Sequence, residues 1–213
     1  MNGLSSIWLF VILVLNFGIS WLNARTCGRA WEESKAVGGV IRVLVWCGAI
    51  QSAIGFSSVF LLPLVFAAHA IFPEYFTQPY LIGAFNLWYI AIIFPALGSG
   101  LLITIESWII AYRDRRVMNI GVAAYNTLAQ IHNTAGAINS LGSAFRSVGT
   151  VFASVATSRG DLKGRAAILG VLIAITIVAI ALGAGIILTA VLIQRYAGTV
   201  PLPVTSKLHR KTA

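Results

Sequence analysis

Residues 117–158 read VMNIGVAAYNTLAQIHNTAGAINSLGSAFRSVGTVFASVATS, and whether this stretch lies in a membrane or beside one decides the fold. Apolar or small residues recur at Ala124, Leu128, Ile131, Ala135, Ile138, Gly142, Phe145, Val148, Phe152 and Val155. Steps of four and three trace a single stripe along a helix. The opposite face offers Asn126, Gln130, Asn133, Ser140, Ser143, Ser147, Thr150 and Ser154, with Arg146 as the only charge of the segment. A surface helix of a soluble protein carries Glu and Lys on that face, and a helix lying on lipid is rich in Lys and Arg. This face is polar but nearly uncharged. Small polar faces allow close helix packing, and they can also line an aqueous path. The expectation is a cytoplasmic amphipathic helix over about 117–158, packed on the membrane surface or on a neighbouring subunit. Pore lining and a flexible linker are the alternatives.

The flanks are membrane-like. Before the segment, Leu81 to Tyr112 is apolar apart from Glu106, contains Pro95 and Gly98-Ser99-Gly100, and stops at Arg113-Asp114-Arg115-Arg116. After it, Ala166 to Gln194 holds 29 residues without a charge and closes on Arg195 and Tyr196. An earlier run, Val37 to Phe72, is longer than one crossing needs and contains Pro63, so tilt or a kink is expected. Phe72 to Tyr80 carries two prolines and several aromatics, which suits a tight interfacial loop. The first run, Leu4 to Leu22, just spans a ~30 Å hydrocarbon core. No Lys or Arg precedes it, and Leu22-Asn23-Ala24 is a poor cleavage site, so a retained helix is expected rather than a signal peptide. Residues 23–36 form a short basic connection holding Cys27, and 197–213 form a disordered basic tail.

Composition agrees with the runs. Hydrophobic residues make up 58%, charged residues 10%, and the mean hydropathy is +0.88. A soluble chain carries about 25% charged residues, and no single soluble core could bury this much apolar surface. The fold class expected is an all-α integral membrane protein, one membrane domain over 1–213, with spans at about 4–22, 37–72, 81–112 and 166–194. The net charge of +9 would suggest nucleic acid in a soluble protein. Here the basic residues sit at the ends of apolar runs, where they orient helices and meet anionic headgroups, so no nucleic-acid partner is expected.

With four spans, Arg25, Arg29, Lys35, Arg42, Arg113, Arg115, Arg116, Arg146, Arg159, Lys163 and Arg165 share one side, against Arg195, Lys207, Arg210 and Lys211. The positive-inside rule then puts both termini on the non-cytoplasmic side. If 117–158 also crosses, the tail exchanges sides with Arg146, Arg159, Lys163 and Arg165, and the count is again eleven against four. Charge bias therefore does not choose between four crossings and five. Insertion cost favours four, because Asn119, Asn126, Gln130, His132, Asn133 and Asn139 would enter lipid.

Glu106 is the only acidic residue inside an apolar run. An intramembrane carboxylate suggests an ion path, a proton relay or an interhelical pair, and Arg42 is the expected partner. Gln51 and His69 are expected to bond neighbouring helices. A lone His makes no metal site, neither Cys27 nor Cys47 has a metal-ligand neighbour, and no cofactor or metal is expected. No nucleophile elbow, P-loop, HExxH or dinucleotide fingerprint is present. Small-xxx-small spacings occur at Ala49/Ala53/Ser57, Gly170/Ala174 and Ala181/Gly185/Thr189, which let helix backbones approach. The expected function is therefore non-enzymatic. It is a polytopic membrane subunit, in contact with the bilayer, that self-associates or scaffolds other membrane subunits through these packing devices and the 117–158 helix. The alternative is an oligomeric channel lined by the polar face of that helix and by Glu106.

Overall fold

The computed structural model describes residues 3–157 and 162–197 and is all-helical there. It has five helices, α1 (Gly3–Val37), α2 (Gly39–Ile71), α3 (Gln78–Arg113), α4 (Val117–Thr157) and α5 (Leu162–Tyr196). Four of them contain segments long and apolar enough to cross a membrane, namely Phe10–Lys35, Gly39–Ile71, Gln78–Arg113 and Gly164–Tyr196. The tail expected over 197–213 lies outside the described residues from 198 onward.

The boundaries follow from the breakers. Nothing between residues 23 and 36 stops a helix, so the expected basic connection is instead the second half of α1, with Lys35 exposed and Arg25 and Arg29 half-buried. The break falls at Gly38 and Gly39, whose φ of 63° and 56° is a conformation that glycine adopts without steric cost. α2 continues through Pro63 and α3 through Pro95. α3 opens with Pro79 in its first turn, where a missing N–H costs nothing. Between α2 and α3, Phe76 is fully buried, and His69 Nδ1 lies 2.7 Å from its carbonyl oxygen.

Consecutive helices run antiparallel, as the contacts along them show. Ser52 of α2 donates to the Ser20 carbonyl of α1, while Trp46 meets Trp31 edge-on. Gln51 meets Ser99 of α3, and Trp88 donates to Ser57. On α4, Thr127 meets Trp108, Gln130 meets Leu97, Ser140 meets Tyr89 and Ser147 meets Asn86. α4 thus lies lengthwise along α3 from Trp108 back to Asn86. α5 begins where Gly170 touches Tyr75 and Tyr80, and ends where Ile193 touches Gly28. It therefore runs parallel to α1 and α3. The main core joins Leu61 and Val65 of α2, Phe76, Ala84 of α3, and Ala174, Ile177, Val178 and Ala181 of α5.

The small-xxx-small spacings act within the chain. A side chain at Gly185 would strike the Ala53 carbonyl and Ser57 on α2, and one at Gly28 would lie 2.8 Å from the Ile193 carbonyl oxygen. Ala49/Ala53/Ser57 and Ala181/Gly185/Thr189 are thus two sides of one close α2–α5 contact, which Thr189 extends by donating to Ser52 at 3.4 Å.

The amphipathicity of α4 is inside-out. Leu128, Ile131, Ile138 and Phe145 are more than half exposed, and Phe152 is 45% exposed. Ala123, Ala137, Ala144 and Val151 are buried against α3, with Gln130, Ser140 and Ser147 half-buried beside them.

Candidate functional site

The middle of α3 is built to accept bonds from its neighbours. Gly98-Ser99-Gly100 leaves the helix surface bare just beyond Pro95. From α2, the Gln51 amide donates to Ser99 Oγ at 2.6 Å and to the Ala96 carbonyl at 3.4 Å. From α4, the Gln130 amide donates to the Leu97 carbonyl at 3.1 Å. Gly100 leaves room for this amide, whose oxygen occupies the space that a Cβ there would take.

α2 and α4 flank α3 on two sides and do not touch each other among the described residues. The space between them is a cavity of about 360 Å³, walled by Gln51, Tyr89, Ile93 and Gln130 with His132 and Asn133 at its rim. Tyr89 and Ser140 hydroxyls pair at 2.6 Å, and Asn86 donates to Ser147 at 3.0 Å. Every polar group of this cleft is uncharged or a histidine, so it can bind by hydrogen bonding but offers no paired acid and base. Among the described residues, no three of His, Cys, Asp and Glu converge. A larger cavity of about 630 Å³ between α1, α2 and α5 is mainly aliphatic and aromatic, and the Glu32 and Lys35 at its edge pair with each other at 3.0 Å.

The residues singled out from sequence are distributed as follows. Gln51 and Gln130 are brought to the same stretch of α3, and Asn133 joins them at the rim of the cleft. Ser140 and Ser147 bond Tyr89 and Asn86 of α3. Asn126 contributes its backbone carbonyl, which accepts from Thr104 at 3.3 Å. His69 stands apart, tied to the Phe76 carbonyl in the α2–α3 loop. Glu106 is buried two turns from Ser99 on the same face of α3, and its Oε2 has no hydrogen-bond partner among the described residues. The expected pair with Arg42 is not formed: Arg42 is exposed, and no ion pair reaches Glu106 among the described residues. Arg42 sits near the break at Gly38-Gly39, so its long stem carries the charge outward to solvent rather than inward.

The partners on α3 were not read from sequence. Their signal was a second stripe, Asn86, Tyr89, Ile93, Leu97, Gly100, Thr104 and Trp108, in steps of three and four. It is hidden in hydropathy because only four of these residues are polar or amphipathic.

The arrangement defines a class, a five-helix bundle with antiparallel neighbours in which four helices are long and apolar enough to cross a membrane. No known family matches the chain, and neither a curated protein nor a solved structure does.

Proposed function

We propose that this chain is a non-enzymatic, multi-pass membrane subunit in which all five helices cross the bilayer, and that it works by joining copies or other subunits into a larger assembly. The observation that carries the topology is the direction of α5. Its start meets the α2–α3 loop at Tyr75 and Tyr80, and its end meets the end of α1 at Gly28. If α1, α2, α3 and α5 cross, α3 delivers the chain to the side opposite that loop. Only a return crossing by α4 lets α5 begin beside the loop.

The surface chemistry of α4 supports the same reading. Its outward stripe of Leu128, Ile131, Ile138 and Phe145 suits lipid, while Gln130, Ser140 and Ser147 find partners on α3. The insertion cost that favoured four crossings is thereby much reduced, since polar groups are expensive in lipid only when unpartnered. Five crossings put the N-terminus outside and the basic tail in the cytoplasm under the positive-inside rule. Assembly is supported by the extensive exposed apolar faces of α1, α4 and α5. The mass and composition of the detergent-solubilised particle test it. A monomer with nothing bound would sink the assembly reading.

The cleft at Gln51 and the unpartnered carboxylate of Glu106 favour a second reading, a channel. Because Gln130, Ser140 and Ser147 are engaged with α3, its path would run in the α2–α4 gap rather than along the inner face of α4. Purified protein in a planar bilayer should then conduct, and Glu106→Gln should alter ion preference. Silence across lipids and voltages would remove this reading.

A further inference from the structure

We propose that Arg25 and Arg29 of α1 hold the phosphate of an anionic phospholipid, whose acyl chains lie along α1 over Leu22, Gly18, Leu15 and Val11. The inference rests on α1 and α5 crossing the bilayer, as proposed above, and adds a ligand to that reading.

The two arginines stand one turn apart on the same side of α1, which brings like charges together. Between them, Gly28 lies against Ile193 and Tyr196 of α5. The Arg25 guanidinium stands over the Tyr196 ring, 5.6 Å from its centroid. The Nε atoms of Arg25 and Arg29 are closed off from solvent and have no hydrogen-bond partner among the described residues. Both side chains are only half-buried, and their Nη groups are not closed off. Among the described residues no carboxylate pairs with either arginine. Glu32 is taken by Lys35 at 3.0 Å, and Glu33, one turn beyond Arg29, forms no ion pair with it.

Guanidinium groups fixed in place with unmet donors call for an outside partner, and the one they match in geometry is a phosphate, which accepts bidentate pairs from the planar fork. The end of α5 opposes an anion only weakly. It carries about half a negative charge, which two full cations outweigh.

Depth selects a lipid as the source of that phosphate. Gly170 of α5 meets the α2–α3 loop at Tyr75 and Tyr80, and Ile193 meets Gly28. The 23-residue step from Gly170 to Ile193 rises roughly 34 Å, against a hydrocarbon core of ~30 Å. With the aromatics of the loop at one interface, Arg25 and Arg29 stand at the headgroups of the other. In the orientation proposed above, that is the cytoplasmic leaflet, where basic sites between helices recognise anionic headgroups.

The surface beneath the arginines is apolar. Leu22, Gly18, Leu15 and Val11 continue their line toward the bilayer centre in steps of three and four, and the two leucines are each 59% exposed. A soluble phosphate would use the arginines alone. A phospholipid matches both parts, its headgroup to the cations and its chains to the apolar lane. Choline would bring a third cation to the site, so the headgroup that fits carries a net negative charge.

The test titrates the delipidated full chain in neutral detergent with phosphatidylglycerol, phosphatidylcholine and glycerol phosphate, reading bound ligand by native mass spectrometry. Phosphatidylglycerol should bind roughly tenfold more tightly than phosphatidylcholine, and the preference should shrink as salt rises. Arg25→Gln and Arg29→Gln should each weaken phosphatidylglycerol about fivefold, and together about thirtyfold, the scale of basic residues at an anionic surface. Arg42→Gln, an exposed control, should leave it unchanged. Equal affinity for the two lipids, no loss in the double variant, or an equal loss in Arg42→Gln would overturn the proposal. Glycerol phosphate binding as tightly as phosphatidylglycerol would make this a soluble-anion site and overturn it too. Lipid preference and its salt dependence are read on the unaltered chain, so a variant that fails to fold leaves the test standing. A chain that alkaline carbonate strips from membranes would sink the membrane reading itself; an integral chain without the preference sinks this site alone.

Discussion

Replacing Gly185 by alanine tests whether the α2–α5 contact organises the bundle. An added Cβ meets the Ala53 carbonyl oxygen and lies 2.8 Å from the Ser57 nitrogen and 3.0 Å from the Ser57 Cβ. The obstructing atoms are backbone or bound directly to it, so no rotamer change relieves the clash. Ordinary contact is about 3.5–4 Å, so the helices must part by roughly 1 Å. Overpacking of this kind costs about 1–3 kcal/mol. Parting the helices also weakens the Thr189–Ser52 bond, already 3.4 Å long, for about 0.6 kcal/mol more. Better helix propensity returns just under ~1 kcal/mol. The net loss expected is about 2 kcal/mol. Gly183→Ala is the matched control, because nothing lies within 4 Å of its added Cβ; it should gain up to ~1 kcal/mol. Reversible unfolding in mixed dodecyl sulfate micelles, followed by tryptophan fluorescence, measures both. If the two variants are equally stable, α2 and α5 do not pack backbone to backbone at Gly185, and the reasoning is refuted.

Other outcomes follow from the same geometry. Gln51→Leu and Gln130→Leu should each lose about 1 kcal/mol in that assay, the scale of one interhelical hydrogen bond; no loss from either would mean that the amides do not hold α3. Epitopes at the N-terminus and after residue 197 should report opposite sides of the membrane in sealed vesicles, and reporting the same side would restore a four-crossing topology. Glu106→Gln should leave stability unchanged or raise it, because it removes a charge with no partner; a loss above about 1 kcal/mol would reveal a counter-charge. Cys27 and Cys47, both buried and free, should resist maleimide in intact membranes and react after denaturation. Rapid labelling of either would contradict the packing of the α1–α2 interface.

Much of the fold could be read along the chain, because apolar runs of crossing length are a one-dimensional property. Their ends at Arg113–Arg116 and Arg195 coincide with helix ends to within a residue or two. The largest displacement, in residues 23–36, arose from reading charge as loop. Arg25, Arg29, Glu32 and Lys35 are compatible with helix, and Gly38-Gly39 provides the break. The site was legible only in halves. Gln51 and Gln130 stood out as amides in apolar or small-residue surroundings, but nothing in their spacing says that both reach the same turn of α3.

By itself the sequence determined the helix content, four segments apolar enough to cross, and the two-faced periodicity of residues 117–158. Tertiary structure alone decided which face of α4 turns inward, the direction of α5, and that the small-residue spacings of α2 and α5 close on each other. The physical reason is that periodicity fixes which residues share a face, whereas the partner of that face is set by non-local contacts. A polar stripe is costly facing lipid and favourable facing Asn86, Tyr89 and Leu97, and only the packed bundle distinguishes the two.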